Sequence, residues 1–288
     1  MKKWILIFSV ILLACGAAVY FGLPSLPPEA EGNRRNLWAV LLHYRWVDRD
    51  RQKLEAARFL IDNMPYHRGK GRLVHVPEEM KRWRREADSL YASVRLAGME
   101  EKDWQDSLSR IQKGRLALLK DSVMQEAAID DGWFDDIQCL SYRFLVDHID
   151  NAFRMWRRSV FARNLSFEEF KEYLLPYRSV AEYGFHVSGR EWQEWFGKYV
   201  PVDGTAALRE AVRGYNQAAN NVQGLNGSNR REVPAGQYDF YVGGKLDCVD
   251  IAHYGCNILR ACGLPVVVEF NMSYLSLPGR HYHCDVWY

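Results

Sequence analysis

The sequence has almost no excess of charge of either sign, and this limits the partners it can bind. Its 38 Lys and Arg residues stand against 36 Asp and Glu residues, which leaves a formal net charge of +2. Proteins that hold nucleic acid through the phosphate backbone concentrate positive charge on one face. We therefore expect no nucleic-acid partner.

Cysteine is scarce, and its spacing excludes the common thiolate metal sites. The six cysteines are spread along the chain without any C-x-x-C pair, at positions 15, 139, 248, 256, 262 and 284. Zinc sites built from cysteine require such pairs, and small disulfide frameworks require a denser pattern. We expect no metal and no cofactor. The 48% hydrophobic content is sufficient for a substantial core.

The first 23 residues have the pattern of an export signal or a membrane anchor. Two lysines precede an apolar run over residues 4–13, and the run continues to Leu23, a length of about 20 residues that is enough to span a bilayer. Leu12-Leu13-Ala14-Cys15 resembles a lipoprotein cleavage box, in which Cys15 would be lipidated. Both alternatives stay open, and both predict an envelope location on a tether over residues 24–36.

Residues 37–222 predict a helical region. Apolar residues recur at steps of three and four after Asp50, and further helices are expected at 78–96, 101–128 and 140–161. Ser166 followed by Glu169 has the pattern of a capping box, and the helix that it begins should end before Pro176.

The pattern changes to mixed helix and strand after a polar loop over residues 220–236. A short strand is expected at 238–242, a helix at 247–262, and strands at 265–270 and 281–288, with a loop at 271–279. The predicted fold class is α+β, with a large helical region followed by a smaller unit over residues 236–288 in which a helix packs on antiparallel strands.

Cys248 lies where a cysteine can act as a nucleophile. Asp247 is a suitable N-cap with Asp250 three residues later, so Cys248 falls on the first turn of the predicted helix. The free N–H groups there favour a thiolate, which is the form that attacks acyl carbons, whereas the two neighbouring carboxylates disfavour it. A cationic imidazole is needed as a partner. His283, 35 residues downstream of Cys248, is the first choice, and His281 on the same strand face is the alternative base.

These residues resemble the transglutaminase-like superfamily. The family pattern is a cysteine that opens a helix ending in LRA-x-GIP, followed by a histidine on the next strand, and this chain has ILRACGLPV at 258–266. Three upstream segments are similar to the helical region of exported transglutaminase-like proteins from Bacteroidetes-type bacteria: KLEAARFLIDNMP at 53–65, IDNAF at 149–153 and FEEFKEYLLPYR at 167–178.

The resemblance implies a papain-like core with a Cys-His-Asp site. Cys248 would be the nucleophile and His283 the base, while the oxyanion hole would combine the Cys248 N–H with an upstream donor, Gln237 or Tyr238. The orienting Asp has no counterpart, so we expect an incomplete unit with impaired activity. Asp285 is not expected to replace it, because a strand neighbour two residues away points along the same face without the geometry to grip the far ring nitrogen.

The expected function is acyl transfer or hydrolysis at peptide or cell-wall amides by an envelope-anchored protein. Two alternatives remain. The first is a non-catalytic binding or scaffolding module of the cell surface, and the second is a truncated gene product.

Overall fold

The structure, a computed structural model, describes residues 24–70, 133–179, 187–220, 247–274 and 277–287. Over these ranges the chain is mixed helix and strand, which confirms the α+β class. Its α-helices are α1 (Arg34–Leu42), α2 (Arg51–Asn63), α3 (Asp136–Cys139), α4 (Tyr142–Arg158), α5 (Phe167–Tyr173), α6 (Gly189–Phe196), α7 (Leu208–Asn220) and α8 (Cys248–Ala261). Its strands are β1 (Arg68–Lys70), β2 (Trp133–Asp135), β3 (Val266–Tyr274) and β4 (Leu277–Val286).

Several predictions fall outside these ranges. They are the export segment 1–23 with Cys15, the helices at 78–96 and 101–128, the loop at 220–236 beyond its first residue, the strand at 238–242, and the oxyanion candidates Gln237 and Tyr238. Among the helices that the structure describes, none has both the length and the apolar character required to cross a membrane.

The N-terminal helices form as their sequence pattern predicts. Asp50 caps α2, and its Oδ1 accepts hydrogen bonds from the backbone N–H groups of Gln52 and Lys53. The apolar stripe of α2 is buried in a first core cluster with α1, α4 and α5. Ser166 and Glu169 form the predicted capping box of α5, which ends at Tyr173, before Pro176.

The short pairing of β1 with β2 departs from the prediction of a wholly helical region. Arg68 pairs with Asp135 and Lys70 with Trp133 in an antiparallel ladder of three residues per strand. Such short strands cannot show the alternation of polar and apolar residues that identifies a strand in sequence, and their partners are more than 60 residues apart. The pairing depends on a long-range contact that local pattern does not predict.

A second core cluster contains α8 and the hairpin β3–β4. It includes apolar side chains of α6 and α7, among them Trp192, Phe196 and Tyr215, together with Tyr254 of α8 and Val266 of β3. Helices from the region predicted as 37–222 therefore supply much of the core around the C-terminal helix. Asn151 of α4 also donates a hydrogen bond from Nδ2 to the Ala261 carbonyl at 2.9 Å.

Candidate functional site

The N-terminus of α8 is fixed by the capping box that the sequence predicts. Asp247 Oδ1 accepts hydrogen bonds from the N–H groups of Val249 at 3.0 Å and Asp250 at 3.1 Å. In return, Asp250 Oδ2 accepts a hydrogen bond from the Asp247 N–H at 2.9 Å. Cys248 is the first residue of the helix and is half-buried. Its backbone position is thus set by the three hydrogen bonds of this capping box.

Burial disfavours the thiolate at the other cysteines of the described chain. Burial raises the pKa of Cys139 and of Cys284 to about 12, and it also raises the pKa of Cys256 and of Cys262. These four side chains remain thiols at neutral pH. A reagent that attacks thiolates would therefore modify these four cysteines slowly, and labelling of Cys248 could be measured without interference from them.

The end of α8 connects directly to β3. Gly263 has φ of 97°, a conformation that favours glycine, and its N–H bonds to the Arg260 carbonyl. Arg260 Nε then donates a hydrogen bond to the Val266 carbonyl at 2.7 Å. This corner fixes where β3 begins relative to the helix.

The hairpin is longer than the sequence predicts. Residues 271–274 and 277–279, expected in a loop, belong to β3 and β4, and Ser273 pairs with Pro278. A register shift between Asn271 and Ser273 interrupts the ladder. An irregular register of this kind obscures the alternation by which strands are identified in sequence, so the predicted strands were too short.

The two faces of the hairpin β3–β4 have different surroundings. Val268, Cys284 and Val286 pack against the core cluster that contains α8, and Cys284 Sγ donates a hydrogen bond to the Ala252 carbonyl at 2.9 Å. His283 follows the opposite alternation and pairs across the ladder with Glu269. Its side chain, 36% exposed, therefore lies on the face turned away from α8.

His283 lies within a group of charged side chains. Its Nε2 is 3.6 Å from Asp285 Oδ1 and 3.7 Å from Glu269 Oε2. The ring of His281 stacks beside it, with ring centroids 6.2 Å apart. Asp285 shares the strand face of His283, as expected, and its separation of 3.6 Å from Nε2 is longer than a hydrogen bond. That Asp285 does not replace the orienting Asp stays a prediction.

The structure does not bring Cys248 and His283 into contact. No hydrogen bond or ion pair joins these two described residues; His283 is instead close to Glu269 and Asp285. The predicted pairing of nucleophile and base stays a prediction. His281 shares the face of His283 and so does not provide a nearer base on the α8 side.

A comparison of the chain with family models, with curated proteins and with solved structures finds no match.

Two carboxylates lie beside His283, and the sequence pattern indicates only one of them, Asp285. His281, His283 and Asp285 alternate along β4, a pattern that places all three on one strand face, and Glu269 is added to them by the pairing of β3 with β4. The alternation is visible in the sequence. The cross-strand partner is not, because it depends on the register.

A buried histidine of α8 is held by the segment after α5. His253 has no exposed surface, and its Nδ1 is 2.6 Å from Ser179 Oγ. Asn257, one turn later, lies 3.4 Å from its Nε2. This residue packs and positions α8 within the core.

Proposed function

We propose that the C-terminal unit is a transglutaminase-like cysteine site with a papain-like core, in which Cys248 attacks peptide or cell-wall amides and His283 acts as base. The observation that carries the proposal is the position of Cys248 on the first turn of α8, behind a reciprocal capping box and next to an antiparallel hairpin. Asp247 occupies the N–H groups of Val249 and Asp250, so the support for a thiolate and a nearby oxyanion comes from the positive end of the helix dipole at the first turn of α8.

The proposed reaction has two steps. The Cys248 thiolate attacks the amide carbonyl carbon, forming a C–S bond, and the C–N bond then breaks as the leaving amine takes the proton that His283 received from the thiol. This transfer requires a conformation in which the His283 ring turns toward α8, because in the structure it lies on the opposite face of the hairpin. Water hydrolyses the resulting thioester, or a second amine replaces it. In the first case the enzyme is a hydrolase, and in the second it is a transamidating enzyme.

The proposed location is the cell envelope. It is supported by the basic start and the apolar run of residues 1–23, as either a lipoprotein signal ending at Cys15 or an uncleaved anchor. Fractionation of cells that produce the full chain tests this, and metabolic labelling with a fatty-acid analogue separates the two alternatives, since Cys15→Ser abolishes labelling only in a lipoprotein.

A second candidate is a non-catalytic surface binding or scaffolding module. The orientation of His283 away from α8, among two carboxylates, favours it. Incubation with peptide and cell-wall fragments followed by mass spectrometry distinguishes the two. The acyl-transfer proposal expects released amines or an acyl adduct on Cys248, both lost in Cys248→Ser. Binding of the fragments without turnover or adduct would favour the binding module.

A further inference from the structure

The outer face of the hairpin β3–β4 has the geometry of a metal site. The ligand atoms of Glu269, His283 and Asp285 all lie within 4.8 Å of one another. They come from two paired strands, and Glu269 and His283 are directly opposite in the ladder. The backbone pairing therefore fixes the relative positions of the three Cβ atoms.

The distances match those around a four-coordinate transition-metal ion. Nitrogen and oxygen ligands lie about 2.1 Å from Zn²⁺, so two ligands of a tetrahedron are about 3.4 Å apart. His283 Nε2 is 3.6 Å from Asp285 Oδ1 and 3.7 Å from Glu269 Oε2. The ligand oxygens of Glu269 and Asp285 lie within 4.8 Å of each other, so a rotation of these exposed carboxylate side chains would bring all three atoms onto one ion.

The chemistry of the ligand set favours a borderline divalent ion. One imidazole with two carboxylates suits Zn²⁺ and its neighbours better than Mg²⁺ or Ca²⁺, which take oxygen ligands. A divalent cation would also offset the repulsion between the two carboxylates. His281, stacked beside His283 on the same face, is a second imidazole next to the site.

We propose that Glu269, His283 and Asp285 bind a divalent transition-metal ion of the Zn²⁺ class on the outer face of the hairpin. The proposal goes beyond the function proposed above and does not depend on Cys248. An ion held by His283 would occupy the imidazole that the acyl-transfer proposal assigns as base, so the two roles would compete.

Metal binding can be measured directly on the full chain without an affinity tag. Titration with Co²⁺ should produce the intense visible bands of a four-coordinate ion, and Zn²⁺ should displace it. Competition with a chromophoric chelator then gives the Zn²⁺ affinity. Glu269→Gln and Asp285→Asn preserve side-chain size and should each weaken Zn²⁺ binding by roughly tenfold or more.

Glu31→Gln is the matched control, because it removes an exposed carboxylate from a segment that packs in the first core cluster. It should bind Zn²⁺ as the original chain does. Equal affinity in all four proteins, or the absence of four-coordinate Co²⁺ bands, would overturn the metal site. These metal-binding results do not test the acyl-transfer proposal. That proposal is tested separately by whether Cys248→Ser abolishes the release of amines.

Discussion

At the scale of single residues, the most consequential buried group is the ion pair between Asp136 and Arg178. Arg178 Nε and Nη2 each donate to a different Asp136 oxygen at 2.8 Å, and the Tyr177 hydroxyl donates to Oδ2 at 3.0 Å. The Asp136 side chain has no exposed surface. The sequence predicts that a helix ends before Pro176, but it does not identify Asp136 as the partner of Arg178, more than 40 residues away.

Asp136→Ala should destabilise the protein by about 3–5 kcal/mol, because it leaves the Arg178 guanidinium buried without its carboxylate. Asp203→Ala is the control, since it removes an exposed ion pair with Arg158 and should cost less than about 1 kcal/mol. Urea unfolding followed by circular dichroism measures both. Equal losses of unfolding free energy would contradict the importance of burial here.

At the scale of elements, caps are the features that sequence predicts best. The capping boxes of α5 and α8 need only two residues three positions apart, so both were predictable from local sequence. The hairpin register and the β1–β2 pairing were not, because they depend on distant residues. The same difference holds at the site, because local sequence predicts Cys248 at a helix start and Asp285 next to His283, whereas Glu269 is added by the register of the hairpin.

Asp247→Ala tests the link between the cap of α8 and the proposed nucleophile. It should cost about 1 kcal/mol of unfolding free energy and should slow alkylation of Cys248, because the first turn of the helix loosens. Ser166→Ala removes the equivalent cap of α5 and should cost a similar amount without changing the alkylation rate. If Cys248 is alkylated at the same rate in Asp247→Ala as in the original chain, the cap does not control the reactivity of Cys248.

Gly263→Ala tests the corner between α8 and β3. A Cβ there would lie 2.9 Å from the Ser159 Cβ and 3.0 Å from the Met155 Cε, in a backbone conformation with φ of 97°. We expect a loss of about 2 kcal/mol or more in thermal or urea unfolding. Gly32→Ala, which meets no atom within 4 Å, should stay within about 0.5 kcal/mol of the original chain. If Gly263→Ala does not change the free energy of unfolding, the corner accommodates a Cβ without cost and the prediction is wrong.

At the scale of the whole molecule, α4 connects the two core clusters. Its Phe153 lies in the first cluster and its Met155 in the second, and Asn151 bonds to the end of α8. Apolar periodicity predicts the burial of such helices but not which helices share a core. The boundary expected over residues 220–236 therefore does not divide the core, because α6 and α7, which precede it, pack in the same cluster as α8.

Asn151→Ala should destabilise the protein by about 1–3 kcal/mol, since it leaves the buried Ala261 carbonyl without this donor. Arg154→Ala is the control: it removes an exposed side chain that donates to Asn151 but leaves the bond to Ala261 intact. Urea unfolding should show one transition for both clusters by tryptophan fluorescence and by circular dichroism. Two separate transitions would contradict the coupling through α4.

The central claim, that Cys248 is an activated nucleophile, is tested most directly by its alkylation rate at pH 6. Mass spectrometry would follow iodoacetamide labelling of the folded chain, of His283→Asn and of an unfolded peptide that contains Cys248. The claim predicts that folded Cys248 reacts at least roughly tenfold faster than the peptide and that His283→Asn removes this advantage. A folded rate equal to or below the peptide rate would contradict it.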